Sequence, residues 1–246
     1  DVIFVTILTI AVNALANILP INGLETGAIS DSFPVLFTPA GYVFSIWGLI
    51  YAGLIAYTVY QALPSQRANP RLRAIGWLYV ASGLANSLWI FLWHYLQFGW
   101  SVLVIAVVLV SLTLIYARLY PARQNVSRGE LWTTHIPFSV YLGWLTVATV
   151  ANIAVWLYDL GWSGAPLTPA LWTVTMLAVA TVLGLFFGLR LRDGAYVLVL
   201  VWAFAGIWVK QSATPLVAYT ALGLSAALAV VAIVAIVQNL RRPAAA

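Results

Sequence analysis

Aromatic and carboxamide side chains recur at intervals of three and four residues in four apolar stretches of the sequence. This spacing places them on one face of a helix. The four stripes are Asn13 and Asn17; Phe44, Trp47 and Tyr51; Ser82, Asn86, Trp89 and Trp93; and Tyr141, Trp144, Ala148, Asn152 and Trp156. If the stripes meet, they line a cavity of rings with a few polar groups, which suits a flat, largely apolar ligand.

Each stripe residue also has a structural interpretation. Asparagines in membrane helices often link neighbouring helices, at about 0.6 kcal/mol each. Tryptophans near the ends of apolar stretches often anchor a helix at the membrane surface. Trp89 and Trp144 lie deeper in their stretches, so the pocket interpretation is stronger for them. The anchoring interpretation fits Trp77, Trp100, Trp132 and Trp208.

The sequence gives little support for a metal site or a catalytic site. Either of the two histidines, His94 and His135, could be an axial ligand to a tetrapyrrole metal. Both lie near the ends of apolar stretches, where a polar end group is the commoner role, so no metal site is predicted. The chain has no cysteine, and its six acidic residues all fall outside the apolar stretches. No catalytic set is therefore predicted.

The composition requires a membrane around these stretches. Of the 246 residues, 63% are hydrophobic and 7% are charged, whereas a soluble domain carries about 25% charged residues. These values exclude a soluble enzyme, a nucleic-acid-binding protein and a disordered protein. They indicate an all-α integral membrane protein, with the lipid bilayer as its first partner.

Eight segments are long enough to cross about 30 Å of hydrocarbon as helices rising 1.5 Å per residue. They cover residues 2–19, 40–63, 74–97, 100–119, 132–157, 169–189, 194–210 and 215–238. Pro137 is the only proline inside a span and is expected to bend it. Three Thr-Pro pairs, a typical start of a helix, are expected to open the second, sixth and eighth spans: Thr38-Pro39, Thr168-Pro169 and Thr214-Pro215.

The basic residues divide unevenly between the two sides of this layout. Ten of the eleven lie in the loops and the C-terminal tail on one side, and the other side holds only Lys210. Because basic loops stay in the cytoplasm, both termini are predicted to be cytoplasmic, in what we expect to be a bacterial inner membrane. The ten are Arg67, Arg71, Arg73, Arg118, Arg123, Arg128, Arg190, Arg192, Arg241 and Arg242.

Polar and aromatic groups are concentrated in the first five spans, whereas the last three consist mostly of Ala, Val, Leu and Gly. We therefore predict a five-helix unit at residues 1–158 and a three-helix extension at residues 159–246. The small residues over 222–235 suit close packing of helices.

Motifs in three of the stripes resemble the TspO/MBR family, the tryptophan-rich sensory proteins. The second span reads FTPAGYVFSIWGLIY over 37–51, similar to the family's run of proline, an aromatic residue, Val-Phe, Trp and Leu-Tyr. The third contains NSLW over 86–89, similar to the family's Asn-x-x-Trp. The fifth contains YLGW over 141–144, followed by Asn152. The resemblance covers the five-helix unit.

The sequence also departs from the family's pattern. The run from Pro34 to Ala40 lacks the family's Lys-Pro-x-Trp and keeps one proline of a Pro-Pro pair. Ile90-Phe91 replaces a proline pair, and Val140 replaces a proline before the tyrosine of the fifth span. These differences leave open that the chain has a pocket similar in outline to the family's but binds a different ligand.

The resemblance implies a TspO-like bundle acting as a membrane sensor or carrier that binds tetrapyrroles such as haem or porphyrins, or sterol-like lipids. Aromatic rings would stack on the macrocycle, and asparagines would hold its polar edges or neighbouring backbone. Carried over residue by residue, the ligand-binding residues are Tyr42, Phe44, Trp47, Tyr51, Asn86, Trp89, Tyr141, Trp144 and Asn152.

Two other functions stay open. The altered loop and the three packing helices favour an accessory subunit of a larger membrane complex, such as a pigment-protein or respiratory assembly. A second copy of the chain stays open as a partner. Tryptophans beside a bound porphyrin could instead support its light-dependent breakdown, although nothing in the sequence requires an enzyme.

Overall fold

The computed structural model describes residues 1–19, 21–123, 125–162 and 164–240. This part of the chain is 84% helical and contains no strand. Its eight long helices are α1 (Val2–Ile18), α2 (Ile46–Ala62), α3 (Pro70–His94), α4 (Phe98–Leu119), α5 (Ile136–Asp159), α6 (Pro169–Leu185), α7 (Gly194–Lys210) and α8 (Pro215–Leu240). Short helical turns lie at Ile21–Gly23, Thr26–Asp31, Gly41–Ser45, Pro64–Gln66, Tyr120–Ala122, Arg128–Glu130, Leu131–His135 and Phe186–Arg190.

Within the described residues, six helical segments are long and apolar enough to cross a membrane. The helices α1 and α7, with 17 residues each, are shorter than these six. The prediction of an all-α integral membrane protein is confirmed, and the exact number of eight spans is not. The six segments are Gly41–Ala62, Pro70–His94, Phe98–Ala122, Arg128–Asp159, Pro169–Arg190 and Pro215–Leu240.

Side-chain caps explain where several helices begin. Thr168 caps α6 as predicted, because its hydroxyl oxygen accepts the Leu171 N–H at 3.3 Å. The prediction for Thr38 is wrong, since the helical segment of the second span begins only at Gly41. The Thr38 hydroxyl donates to the Val35 carbonyl oxygen at 2.7 Å instead.

Pro137 lies at the second residue of α5, directly after the π-helical turn Leu131–His135. In that turn the Ile136 N–H reaches back five residues to the Leu131 carbonyl. The irregularity beside Pro137 is therefore this wider turn at the start of α5, not a break in its interior.

The contacts within the chain group it into two compact units. The first combines Asp1–Ile29 with Ile46–Leu145 and holds α1 to α4 and the first part of α5. Here α1 packs closely on α3 at Gly83, where a Cβ atom would collide with the Val5 side chain and lie 2.8 Å from the Thr9 hydroxyl oxygen.

The second unit combines the segment Ser30–Ser45, called the connecting segment below, with Thr146–Ala246, of which the structure describes residues up to Leu240. Glycines place its last three helices close together. A Cβ on Gly184 would lie 2.8 Å from Leu228 of α8 and 2.9 Å from Leu200 of α7.

Some sequence predictions fall outside the described residues or stay untested by the fold. Arg241 and Arg242, which the charge-based topology uses, lie outside the described residues. The division into 1–158 and 159–246 remains a prediction.

Candidate functional site

Four aromatic rings from α2 and α5 meet in the first unit, and we call them the ring cluster: Trp47, Tyr51, Tyr141 and Trp144. Trp47 stacks on Tyr51, with ring centroids 5.5 Å apart and 21° between the ring planes. The edges of Tyr141 and Trp144 meet Trp47 at centroid distances of 5.9 and 6.3 Å. The spacings of four residues on α2 and three on α5 place these rings on one face of each helix, as the sequence predicted. The structure shows that these two faces meet.

The ring cluster is buried on one helix and accessible on the other. Tyr141 and Trp144 of α5 are almost fully buried, whereas Trp47 and Tyr51 of α2 are half-buried. The Tyr141 hydroxyl lies toward the Asn86 side chain but forms no hydrogen bond of ordinary length with it. A buried hydroxyl without such a bond is costly, so a polar group brought to it by a ligand would be stabilised there.

A pair of carboxamides joins α1 to α3 inside the same unit. The Asn13 side-chain N–H donates to the Asn86 side-chain oxygen at 2.7 Å and to the Thr9 carbonyl oxygen at 2.8 Å. Both asparagines are buried. This bond supports the structural interpretation of the asparagine stripe, and it also fixes the orientation of Asn86 near the ring cluster.

Trp89 belongs to a second aromatic stack. It lies parallel to Trp93 at 5.6 Å between ring centroids, and the edge of Phe98 meets Trp93 at 5.2 Å. The Trp93 indole N–H donates to the Thr26 carbonyl oxygen at 3.2 Å. Trp89 is therefore held deep in the unit, and its contact with a ligand remains a prediction.

The remaining three predicted residues, Tyr42, Phe44 and Asn152, belong to the second unit. Asn152 is buried, and Tyr42 lies edge-on against Trp202 at 5.3 Å between ring centroids. Their part in a site with the ring cluster remains a prediction.

Both ring nitrogens of His94 are engaged within the first unit. Nδ1 lies 3.1 Å from the Ile21 carbonyl oxygen and must donate to it, so Nε2 accepts from the Thr26 hydroxyl at 2.9 Å. No lone pair of the ring is left for a metal ion in this arrangement. Across the described residues, no group of three or more histidine and acidic side chains is placed to hold a metal ion.

A family model described as TSPO-like protein matches residues 2–234. The chain belongs to the TSPO-like protein family. Comparison with curated proteins found no match, and comparison with solved structures found none either. The family match extends well beyond residue 158, where the sequence motifs end, and it takes in most of α8. The last three helices of this TSPO-like protein are therefore part of its family pattern.

Sequence reasoning placed Glu130 in a loop, whereas in this TSPO-like protein it lies in the continuous helical segment Arg128–Asp159. Its carboxylate accepts two hydrogen bonds of 2.7 Å from Arg71, at the start of α3, and one of 3.2 Å from Asn69. The signal was present: Ser127 stands three residues before Glu130, as in a capping box, and its hydroxyl accepts the Glu130 N–H at 3.1 Å.

An open apolar groove of about 360 Å³ lies between α1 and α2, and none of the nine predicted ligand-binding residues lines it. Two of its lining residues, Thr6 and Thr58, form with Tyr79 what we call the hydroxyl junction. The Thr6 oxygen lies 2.6 Å from the Thr58 hydroxyl and 2.6 Å from the Tyr79 hydroxyl, and it donates to the Val2 carbonyl at 2.9 Å. The hydroxyl junction links α1, α2 and α3.

Proposed function

We propose that this TSPO-like membrane protein is a sensor or carrier that binds a tetrapyrrole, such as a porphyrin or haem, at the ring cluster. The observation that supports this most is the convergence of Trp47 and Tyr51 with Tyr141 and Trp144 across two helices. For the other ligand-binding residues that the family resemblance implies, contact with the ligand stays a prediction.

The chemistry of these residues favours a flat ligand of low charge. Aromatic pairs in stacked or edge-on geometry contribute about 0.5–1.5 kcal/mol each beyond the burial of apolar area. The carboxamide of Asn86 and the hydroxyl of Tyr141 are neutral and can direct a heteroatom at the edge of a macrocycle. The proposed residues include no charged side chain, so the binding energy would come from burial and stacking.

We further propose the eight-span topology, with both termini in the cytoplasm of a bacterial inner membrane and a five-helix bundle followed by three helices. The described arginines outside the spans support this orientation, because basic loops stay on the cytoplasmic side. A 17-residue helix such as α1 or α7 is about 26 Å long, so flanking residues would complete its passage through about 30 Å of hydrocarbon.

A second candidate function is that of an accessory subunit in a larger membrane complex. The outward side chains of α8 favour it, since Tyr219, Val230 and Ile233 are all largely exposed in the isolated chain. Size separation after gentle solubilisation distinguishes the two functions. Comigration with other subunits supports this one, and migration only as a free monomer or homodimer contradicts it.

Titration with protoporphyrin IX tests the first proposal. The purified protein should show saturable quenching of tryptophan fluorescence and a shift of the porphyrin absorbance band. Trp144→Ala should raise Kd about tenfold, because it removes one ring contact and the apolar area that ring buries. Trp77→Ala is the matched control, since Trp77 is 74% exposed and lies outside the proposed site. Quenching that does not saturate, or equal effects of both substitutions, would contradict the proposal.

A further inference from the structure

The connecting segment is attached to one face of α7. Trp202, Gly206 and Lys210 of α7 follow one another at intervals of four residues and therefore lie on the same face. The Trp202 indole N–H donates to the Val43 carbonyl oxygen at 3.1 Å. The Gly206 carbonyl oxygen accepts the Ala40 N–H at 3.1 Å. Two successive turns of α7 thus hold the backbone of the segment.

The contact at Gly206 is too close for any larger residue. A Cβ atom there would collide with the side chain of Val43 and lie 3.1 Å from the Cβ of Pro39. One turn away, Trp202 supports the Tyr42 ring edge-on. The segment is therefore seated against α7 by side-chain packing as well as by hydrogen bonds.

Lys210 forms the third contact, at the end of α7. Its ammonium group donates to the Asp31 carboxylate at 2.5 Å and to the Thr38 hydroxyl oxygen at 3.0 Å. Thr38 is fully buried and donates in turn to the Val35 carbonyl at 2.7 Å. The Lys210 side chain is 24% exposed and that of Asp31 is 47% exposed, so water weakens this ion pair without removing it.

We propose that Lys210 is a positioning residue that controls ligand binding. By holding Asp31 and Thr38, Lys210 fixes the connecting segment, which carries the predicted ligand-binding residues Tyr42 and Phe44. A segment that is ordered in advance loses less conformational entropy when a ligand binds. Releasing the segment therefore weakens binding although Lys210 touches no ligand. This inference rests on the proposed tetrapyrrole site.

The first measurement requires no ligand. Lys210 is the only lysine in the sequence, so an amine-reactive ester modifies no other side-chain amine, and peptide mass spectrometry reports its rate of modification. Asp31→Asn should raise this rate about two- to fivefold, the ratio expected when an ion pair of this exposure is lost. An unchanged rate in the full-length protein would overturn the role of the ion pair.

The second measurement uses protoporphyrin IX with the full-length protein. Lys210→Met should raise Kd about two- to fivefold, mainly through faster dissociation, and Lys210→Arg should retain most of the affinity. Arg190→Met is the matched control, because it removes an exposed cation of the same unit that lies outside the connecting segment. Equal Kd values for the wild type and Lys210→Met would overturn the proposal.

The outcomes separate this proposal from the one on which it rests. If the wild-type protein shows no saturable porphyrin binding, the tetrapyrrole function fails, whatever the labelling rates show. If the wild type binds and Lys210→Met binds equally, only the role of Lys210 fails. If Lys210→Met fails to fold, the role of Lys210 is tested with the charge-swapped double variant Asp31→Lys, Lys210→Asp. Recovery of the wild-type Kd relative to Asp31→Lys alone supports the role, and no recovery contradicts it.

Discussion

Breaking the ion pair between Arg71 and Glu130 should destabilise the first unit by about 2 kcal/mol. The Glu130 side chain is 3% exposed, whereas that of Arg71 is 37% exposed. Glu130→Gln keeps the shape but leaves the guanidinium opposite a neutral amide. Removing one partner of a fully buried pair costs about 3–5 kcal/mol. Because Arg71 is partly exposed, water can solvate its guanidinium when Glu130 is neutral, and the expected loss falls to about 2 kcal/mol.

A double-mutant cycle measures the pair itself. The free energy of unfolding is determined in detergent by circular dichroism for Glu130→Gln, Arg71→Gln and the double variant. The coupling energy should be about 1–2 kcal/mol, since the two side chains share parallel hydrogen bonds. Arg73→Gln is the control, because Arg73 is an exposed arginine two residues further along α3.

The result that would refute this reasoning is a coupling energy below about 0.5 kcal/mol, the range of additive sites. An equal loss of stability in Arg73→Gln would refute it too, because the effect would then reflect the total charge near α3. Either outcome would mean that the buried carboxylate is stabilised by something other than Arg71.

Two further predictions concern the packing of α1 on α3. Gly83→Leu should unfold the first unit or cost more than about 3 kcal/mol, because the new side chain meets Val5. Gly76→Ala, with no atom near its Cβ position, should instead stabilise α3 by about 0.5–1 kcal/mol. Thermal unfolding separates these two, and equal effects would contradict the assigned contact. Asn13→Leu should lower the free energy of unfolding by about 0.6–1.7 kcal/mol, since it leaves the buried Asn86 oxygen without its donor. If unfolding measurements show no loss, the carboxamide pair contributes nothing to stability.

The sequence predicted the positions of the helices well, because a continuous apolar run must be helical in a membrane. The seventh span was predicted at 194–210, and α7 covers Gly194–Lys210. The start of the third was predicted at residue 74, whereas α3 begins at Pro70. The difference arises because an apolar window ends at the first charges, whereas the helix continues to Asn69, whose side chain caps it at the Arg71 N–H.

Tertiary contacts decided what the sequence could not. Thr38 looked like a helix cap, but Lys210, 172 residues away in sequence, binds its hydroxyl. The stripe of α2 was readable from spacing alone, yet nothing in the spacing showed that Trp47 would meet α5. Glu130 was missed because its partner Arg71 is 59 residues away and belongs to another helix. Spacing reveals the face of a helix but not its neighbour.

The hydroxyl junction has a consequence for the direction of its hydrogen bonds. A threonine hydroxyl carries one hydrogen and two lone pairs. When Thr6 gives its hydrogen to the Val2 carbonyl, both Thr58 and Tyr79 must give theirs to Thr6. Every hydrogen at the place where three helices meet then has a fixed direction, and all of them run toward Val2. No hydroxyl hydrogen of the junction is then free to donate to a further partner, so the three helices are joined there by a single pattern of directed bonds.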